Sequence, residues 1–294
     1  MQEALTTSLT GHFREKLSSR IREGYPQGEN RLDWIEDNAR RAADLYNTST
    51  GNLNTVDGHN CDKCKNRGYT QTVERRNGMI YSPYVECECL QVRSSIRRIR
   101  LSGLESSVKR CTFDAFADKT DWQKSMKATA LDYCHDGVKG GHWFFAGGAV
   151  GCGKTHICTA IAGELLTIMP LHYMVWTSES TKLKAVINDA EEYEPMVNRL
   201  KNTDALYIDD FFKPAQDRDG RPMPPTPADI RLAYDIINHR YINQMPTIIS
   251  SERYLTELID IDGAVGSRIY EKAKRFCVTI KRDGRKNFRL EGLA

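Results

Sequence analysis

A chain of 294 residues is longer than a single hydrophobic core usually supports, so two folded units are expected. With 40% hydrophobic and 28% charged residues and no apolar run long enough to cross a bilayer, the composition is that of a globular protein and excludes a membrane-spanning one. A formal net charge of +3 is too small to argue for nucleic acid by itself, so that case must rest on local clusters.

The N-terminus, with Glu3, His12, Arg14, Glu15 and Lys16, lacks the apolar stretch of a secretory signal, so a cytoplasmic location is expected. Residues 15–47 hold two helical patterns, the second over 31–46 with Leu32, Ile35, Ala39, Ala42 and Tyr46 on one face. Residues 47–60, rich in Asn, Thr, Gly and Asp, read as a loop. Nine cysteines in a chain that is not exported point to metal binding or reduced thiols rather than disulfides.

Their spacing supports a metal. Cys61 and Cys64 form one pair, Cys87 and Cys89 another, and the extended runs between them meet at Asn77-Gly78. Asn-Gly signals a two-residue hairpin, because both turn positions need positive φ; the hairpin folds the second pair back onto the first. Tetrahedral Zn2+ takes four such thiolates, and a closed all-cysteine set implies a structural site. Cys-x-Cys is tighter than the commonest spacing, which leaves His59 open as a different fourth ligand. The basic stretch that follows contains Arg93, Arg97, Arg98, Arg100, Lys109 and Arg110, with Val92, Ile96 and Ile99 on an opposite face. It reads either as a contact for phosphates or an acidic partner, or as the solvated face of a linker helix.

Beyond Cys111, short apolar runs at 142–146, 171–177, 205–209, 247–251 and 277–281 alternate with helix-length segments. That alternation describes an α/β fold with a five-stranded parallel sheet and crossover helices. The first run leads into Gly148-Ala-Val-Gly-Cys-Gly-Lys154-Thr155, which satisfies G-x-x-x-x-G-K-[ST] in a strand-loop-helix context. Gly148, Gly151, Cys152 and Gly153 let backbone N–H groups turn toward the phosphates of ATP, with His156 at the start of the helix. Lys154 is expected to neutralise phosphate charge and Thr155 to ligate Mg2+. The run 205–209 ends in Asp209 and Asp210 at a carboxyl edge, where parallel sheets bind ligands. One strand over from the phosphate loop, Asp209 is expected to face the same Mg2+ and Asp210 to orient or deprotonate the attacking water.

The phosphate loop, the Asp-Asp strand, Ser250-Ser251-Glu252 and Gly266-Ser267-Arg268 together resemble the AAA+ core of DnaC/DnaI-type replicative helicase loaders. The resemblance covers nearly all of 104–294, and the cysteine module resembles the helicase-binding region of the DnaI-like branch. It implies an N-terminal helical and zinc-binding unit over 1–103 that docks on a hexameric replicative helicase, and an ATPase unit over 104–294 that binds single-stranded DNA and self-associates with ATP. By position it implies that Ser251 and its neighbours read the γ-phosphate, and that Arg268 is an arginine finger reaching into the next subunit. Arg289 recurs in the family pattern without a clear role. For single-stranded DNA it points to the insertion at 178–201, with Lys182, Lys184, Arg199 and Lys201. The chain ends soon after Arg289, leaving no room for a full helical lid, so weak intrinsic hydrolysis is expected. Two rivals share the core: a transposition helper ATPase of the IstB type, and a non-hydrolysing adaptor switched by nucleotide.

Overall fold

The computed structural model describes residues 30–214, 218–219 and 222–282. Two compact units divide between Arg93 and Ser94. The earlier of the two helical patterns in 15–47 and Arg289 lie outside the described residues.

In the first unit, α1 (Asn30–Thr48) realises the amphipathic pattern expected over 31–46. Near its end Asn47 is bonded to the backbone of Gln71 by both side-chain atoms, each at 2.8 Å, which fastens helix to strand. The stretch 47–60 is more than a loop: it holds α2 (Asn54–Asp57), ended by Gly58 at φ 78°. Four short strands follow, β1 (Tyr69–Gln71), β2 (Glu74–Arg76), β3 (Met79–Tyr81) and β4 (Tyr84–Glu86). β2 and β3 pair antiparallel with Arg76 opposite Met79, and Asn77 and Gly78 between them have φ of 50° and 73°. This is the two-residue turn that Asn-Gly predicts. β1 and β4 form a second ladder, separated from the first at Pro83, which has no N–H to donate and only accepts one from Thr72 at 3.0 Å. Beyond the last cysteine pair, α3 (Cys89–Ser102) spans the division between units.

In the second unit, α4 (Glu105–Val108) precedes α5 (Asp121–Asp132), which starts with a capping box of Thr120 and Gln123. The sheet and its crossovers are β5 (Trp143–Gly148), α6 (Lys154–Ile168), β6 (Leu171–Val175), α7 (Trp176–Ala185), α8 (Ala190–Asn202), β7 (Ala205–Asp209) and α9 (Pro227–Ile242). They continue with β8 (Thr247–Ser251), α10 (Leu255–Ile261), α11 (Gly263–Ala273) and β9 (Cys277–Ile280). Every apolar run became a strand. The second stops at Val175 rather than 177, because Trp176 turns into α7 and packs edge-on against Phe211 and Phe212 at 4.9 and 5.2 Å.

All neighbours in the sheet are parallel, in the order β6-β7-β8-β5-β9. The sequence reading places the Asp209 strand next to the phosphate-loop strand; the structure corrects this, because β8 lies between them. Alternate strand residues point to opposite faces. Phe144, Ala146, Tyr207 and Ile248 pack on one face with Ile157, Ile161 and Leu165 of α6. Trp143, Phe145, Leu206 and Ile249 pack on the other with Leu232 and Ile236 of α9 and Val265 and Ile269 of α11. Burial on both faces is why these strands read as continuous apolar runs. Among the described residues, no helix is long and apolar enough to cross a membrane.

Candidate functional site

The loop between β5 and α6 is shaped by its glycines. Gly148 has φ of 107°, and a Cβ there would run into the carbonyl of Ile280 on β9, so no other residue fits without displacing that strand. Gly151 and Gly153 also have positive φ, 72° and 91°. Lys154 is buried, and its ammonium donates to the carbonyls of Gly148 and Ala149 at 3.0 and 2.5 Å. Phosphate oxygens are acceptors of the same kind and carry charge, so they compete well for those donors. Cys152 is buried and its thiol donates to the Ala149 carbonyl at 2.9 Å, bracing the loop from inside. A ring nitrogen of His156 lies 2.9 Å from the Thr112 carbonyl, and the ring meets Phe116 edge-on at 5.4 Å.

Asp209, at the end of β7, is buried and gathers hydroxyl groups. Thr155 and Tyr207 donate to Oδ1 at 3.2 and 3.0 Å, Tyr173 donates to Oδ2 at 3.0 Å, and Ser250 donates to Oδ1 as well. Burial, with the nearby Asp209 charge, pushes both phenols above their ordinary range, so they stay protonated donors. The strand insertion noted above has a direct result: Ser250, on intervening β8, bridges toward Asp209 and also accepts the Asp210 N–H at 3.2 Å.

A cavity of about 260 Å³ opens beside the loop, lined by Gly151, Lys154, Thr155, His156, Asp210 and Glu252 among others. Of the residues singled out from sequence, Gly151, Gly153, Lys154, Thr155, His156, Asp210 and Glu252 line this cavity, and Asp209 meets it through its contact with Thr155. Ser251 does not line that cavity: its hydroxyl donates to the Phe211 carbonyl at 2.7 Å and accepts the Arg253 N–H at 3.0 Å. Arg268 is also elsewhere, held by Asn238 Oδ1 at 3.0 Å and the Ala264 carbonyl at 2.9 Å, over the rings of Tyr234 and Tyr241. Gly266 of the same motif serves packing, since a Cβ there would meet the Ile259 backbone at 2.5 Å. Sequence reasoning missed Tyr173, Tyr207 and Lys213, and it named Ser250 and Glu252 only as neighbours of Ser251, not as a partner of Asp209 and a residue facing the cavity. Only Tyr207 carried a signal, sitting two residues before Asp209 on one strand and hence on its face.

In the first unit the sulfurs of Cys61, Cys64, Cys87 and Cys89 all lie within 4.8 Å of one another. Cys61 and Cys87 are 3.7 Å apart, Cys64 and Cys89 3.5 Å. A tetrahedral site with Zn–S bonds of about 2.3 Å has S···S edges of about 3.8 Å, so the four donors fit such an ion. His59 is not part of the group, and its N–H is turned to Asp57 Oδ1 at 2.9 Å. Although burial opposes ionisation of Cys64, the Gly68 N–H and neighbouring thiols donating to its sulfur hold it down to about 6. Arg93 stands behind Cys89, buried, with Nη1 donating to both Asp57 carboxylate oxygens at 2.5 and 2.7 Å and Nη2 to Asn66 Oδ1 at 3.0 Å. That same Asn66 oxygen accepts the Cys61 N–H at 2.8 Å.

No protein-family model matches the chain. The phage-like element PBSX protein XkdC of Bacillus subtilis (strain 168) is 32% identical over 246 residues, covering 80% of this chain and 88% of its own. This chain belongs to the XkdC family. The uncharacterized protein YqaM of the same strain is 31% identical over 206 residues, which span 67% of this chain and 64% of that protein. Among solved structures, the DnaC helicase loader has 18% identity and a TM-score of 0.48, covering 59% of this chain and 98% of that one. DnaI gives the same identity and TM-score over 60% and 93%. Both likenesses concern fold alone.

In this XkdC-family chain many of the basic residues that the sequence offered either as phosphate or DNA contacts or as solvated surface are paired within the protein. Arg93 serves the cysteine module as above. Arg98 donates to the carbonyls of Leu166 and Thr167, capping the last turn of α6. In the insertion, Lys182 pairs with Glu179 at 2.8 Å, Lys184 with Asp229 at 2.5 Å and Lys201 with Asp235 at 2.6 Å. Arg97 and Arg199 are exposed.

Proposed function

We propose that this chain is an ATP-dependent loader of a hexameric replicative DNA helicase, acting in the cytoplasm in DNA replication. The observation that carries the nucleotide part is the 3.2 Å contact between Thr155 Oγ1 and Asp209 Oδ1, which brings two magnesium-ligand types, one from the first turn of α6 and one from the end of β7, together beside a phosphate loop. Lys154 exchanges its loop carbonyls for phosphate oxygens of ATP. Thr155 and Asp209 would hold Mg2+, which when bound neutralises phosphate charge and orients the terminal phosphoryl group. Asp210 orients the attacking water. Arg268 completes the site of a neighbouring subunit when the chain self-associates, and the turn of Ser250, Ser251 and Glu252 reports the state of the terminal phosphate.

The module of Cys61, Cys64, Cys87 and Cys89 would hold Zn2+ as a structural ion, and the unit around it docks on the helicase. Its set of four closely grouped thiols supports this reading. Single-stranded DNA is taken by the second unit through the insertion of α7 and α8. Membership of the XkdC family, whose named member is a phage-like element protein, supports an origin on a mobile element.

A second reading, a nucleotide-switched adaptor that does not hydrolyse, is favoured by the ion pair that ties Asp210 to Lys213 at 2.9 Å. The test is common to both. Lys154→Ala is expected to lose ATP binding, and Asp210→Asn to keep binding while turnover drops by about 100-fold or more. Wild-type turnover equal to that of both variants means adaptor, and purified protein that neither binds a replicative helicase nor changes its loading on single-stranded DNA ends the loader reading.

A further inference from the structure

Lys213 lines the same cavity as the phosphate loop, yet no motif includes it. Its ammonium lies 2.9 Å from Asp210 Oδ2 and 3.0 Å from Glu252 Oε1. That placement is built into the backbone. Asp210 and Phe212 have φ of 55° and 49°, left-handed conformations that non-glycine residues keep only where their surroundings impose them. Here the end of β8 imposes them. The Phe211 N–H donates to the Ser250 carbonyl at 2.8 Å, Ser251 Oγ donates to the Phe211 carbonyl at 2.7 Å, and Arg253 Nε donates to the Phe212 carbonyl at 2.8 Å. The turn closes with the Lys213 N–H on the Asp210 carbonyl at 3.0 Å. Burial weakens the ammonium, but hydrogen bonds to the two carboxylates more than offset this and raise it above the ordinary lysine range, so it stays charged.

Two carboxylates in a cavity for a polyphosphate oppose its binding. The opposition grows with ligand charge and falls most on the terminal phosphate, which projects toward the residue that handles the attacking water. With Lys213 between them, the net charge of the three groups is one negative instead of two. We propose that Lys213 sets the preference of this site for a nucleoside triphosphate over a diphosphate, by neutralising Asp210 and Glu252 where the terminal phosphate lies. The inference rests on the nucleotide reading given above and names the residue that determines its specificity.

The experiment measures affinities of the full chain, with Mg2+, for ADP and for the non-hydrolysable triphosphate AMPPCP by titration calorimetry. Lys213→Met is expected to lose about tenfold or more of AMPPCP affinity while ADP affinity moves by less than about twofold, and Lys213→Arg to retain the wild-type ratio. Glu252→Gln alone, which leaves Lys213 in place, is expected to raise the AMPPCP-to-ADP preference several-fold, and adding it to Lys213→Met to restore most of the loss. Equal weakening of both ligands by Lys213→Met, or an unchanged ratio in Glu252→Gln, overturns the proposal and leaves the nucleotide reading standing. Wild-type protein that binds neither nucleotide overturns both. If Lys213→Met does not fold, the Glu252→Gln ratio decides.

Discussion

At the scale of single residues, the Asp209 carboxylate is held from several sides at once. Four hydroxyl groups from four different elements or loops end on one buried carboxylate. Hydrogen bonds to a charged acceptor are stronger than neutral ones, and their number fixes the orientation of the carboxylate before any ligand arrives. Tyr207→Phe removes one of them without changing the shape of the core. It is expected to cost about 1 kcal/mol in chemical denaturation and to lower ATP turnover several-fold with little change in KM. An unchanged kcat would mean that Tyr207 contributes to packing alone. The carboxylate itself was legible, because a strand of apolar residues ending in Asp-Asp beside a phosphate loop has few other meanings. Its hydroxyl partners were not: Tyr173 and Ser250 come from strands whose places in the sheet the sequence does not state.

At the scale of elements, the cysteine module shows how little apolar packing its unit has. Its buried apolar positions among the described residues are Ala43 and the cysteines Cys64, Cys87 and Cys89. Two short ladders broken at Pro83 are marginal without further support. Metal binding is therefore expected to supply much of the folding free energy of this unit. Chelation should melt it, read as loss of ordered signal from residues 61–89 by NMR, while the second unit keeps its fold. Because each thiol must lose its proton to ligate, protons compete with the ion, and affinity is expected to fall as pH falls. Metal affinity independent of pH would argue against thiolate ligation. The Asn77-Gly78 turn was predicted in its register, whereas the break at Pro83 and the short helix α2 were not. Arg93 fits neither sequence reading of the basic stretch, phosphate contact or solvated face. It sits in a run of basic residues that suggests a phosphate contact, and only the fold places it against Asp57 and Asn66 behind the cysteines.

At the scale of the whole molecule, Arg268 tests whether the second unit works alone. In the single chain it is anchored to Asn238 and Ala264, and it does not line the phosphate-loop cavity. A finger supplied in trans gives a distinctive outcome. Arg268→Ala is expected to bind ATP normally but lose turnover, by about 10³-fold if it behaves like fingers of other nucleotidases. Mixing it with Lys154→Ala, which has the finger but no working site, should restore part of the activity. Failure of the mixture to exceed either variant alone would remove the intersubunit role. The sequence by itself determined the strands, the phosphate loop, the paired aspartates and the grouping of the four cysteines. Each of these is local: an apolar run long enough to be buried on both faces, glycines where φ must be positive, thiols at ligand spacing. Only the tertiary structure decided that β8 enters between β5 and β7, that Ser250 rather than Ser251 reaches Asp209, and that Lys213 stands between Asp210 and Glu252. The physical reason is that strand order and turn geometry are settled by packing between segments distant in sequence, and the charges that meet in a cavity are those that packing brings together.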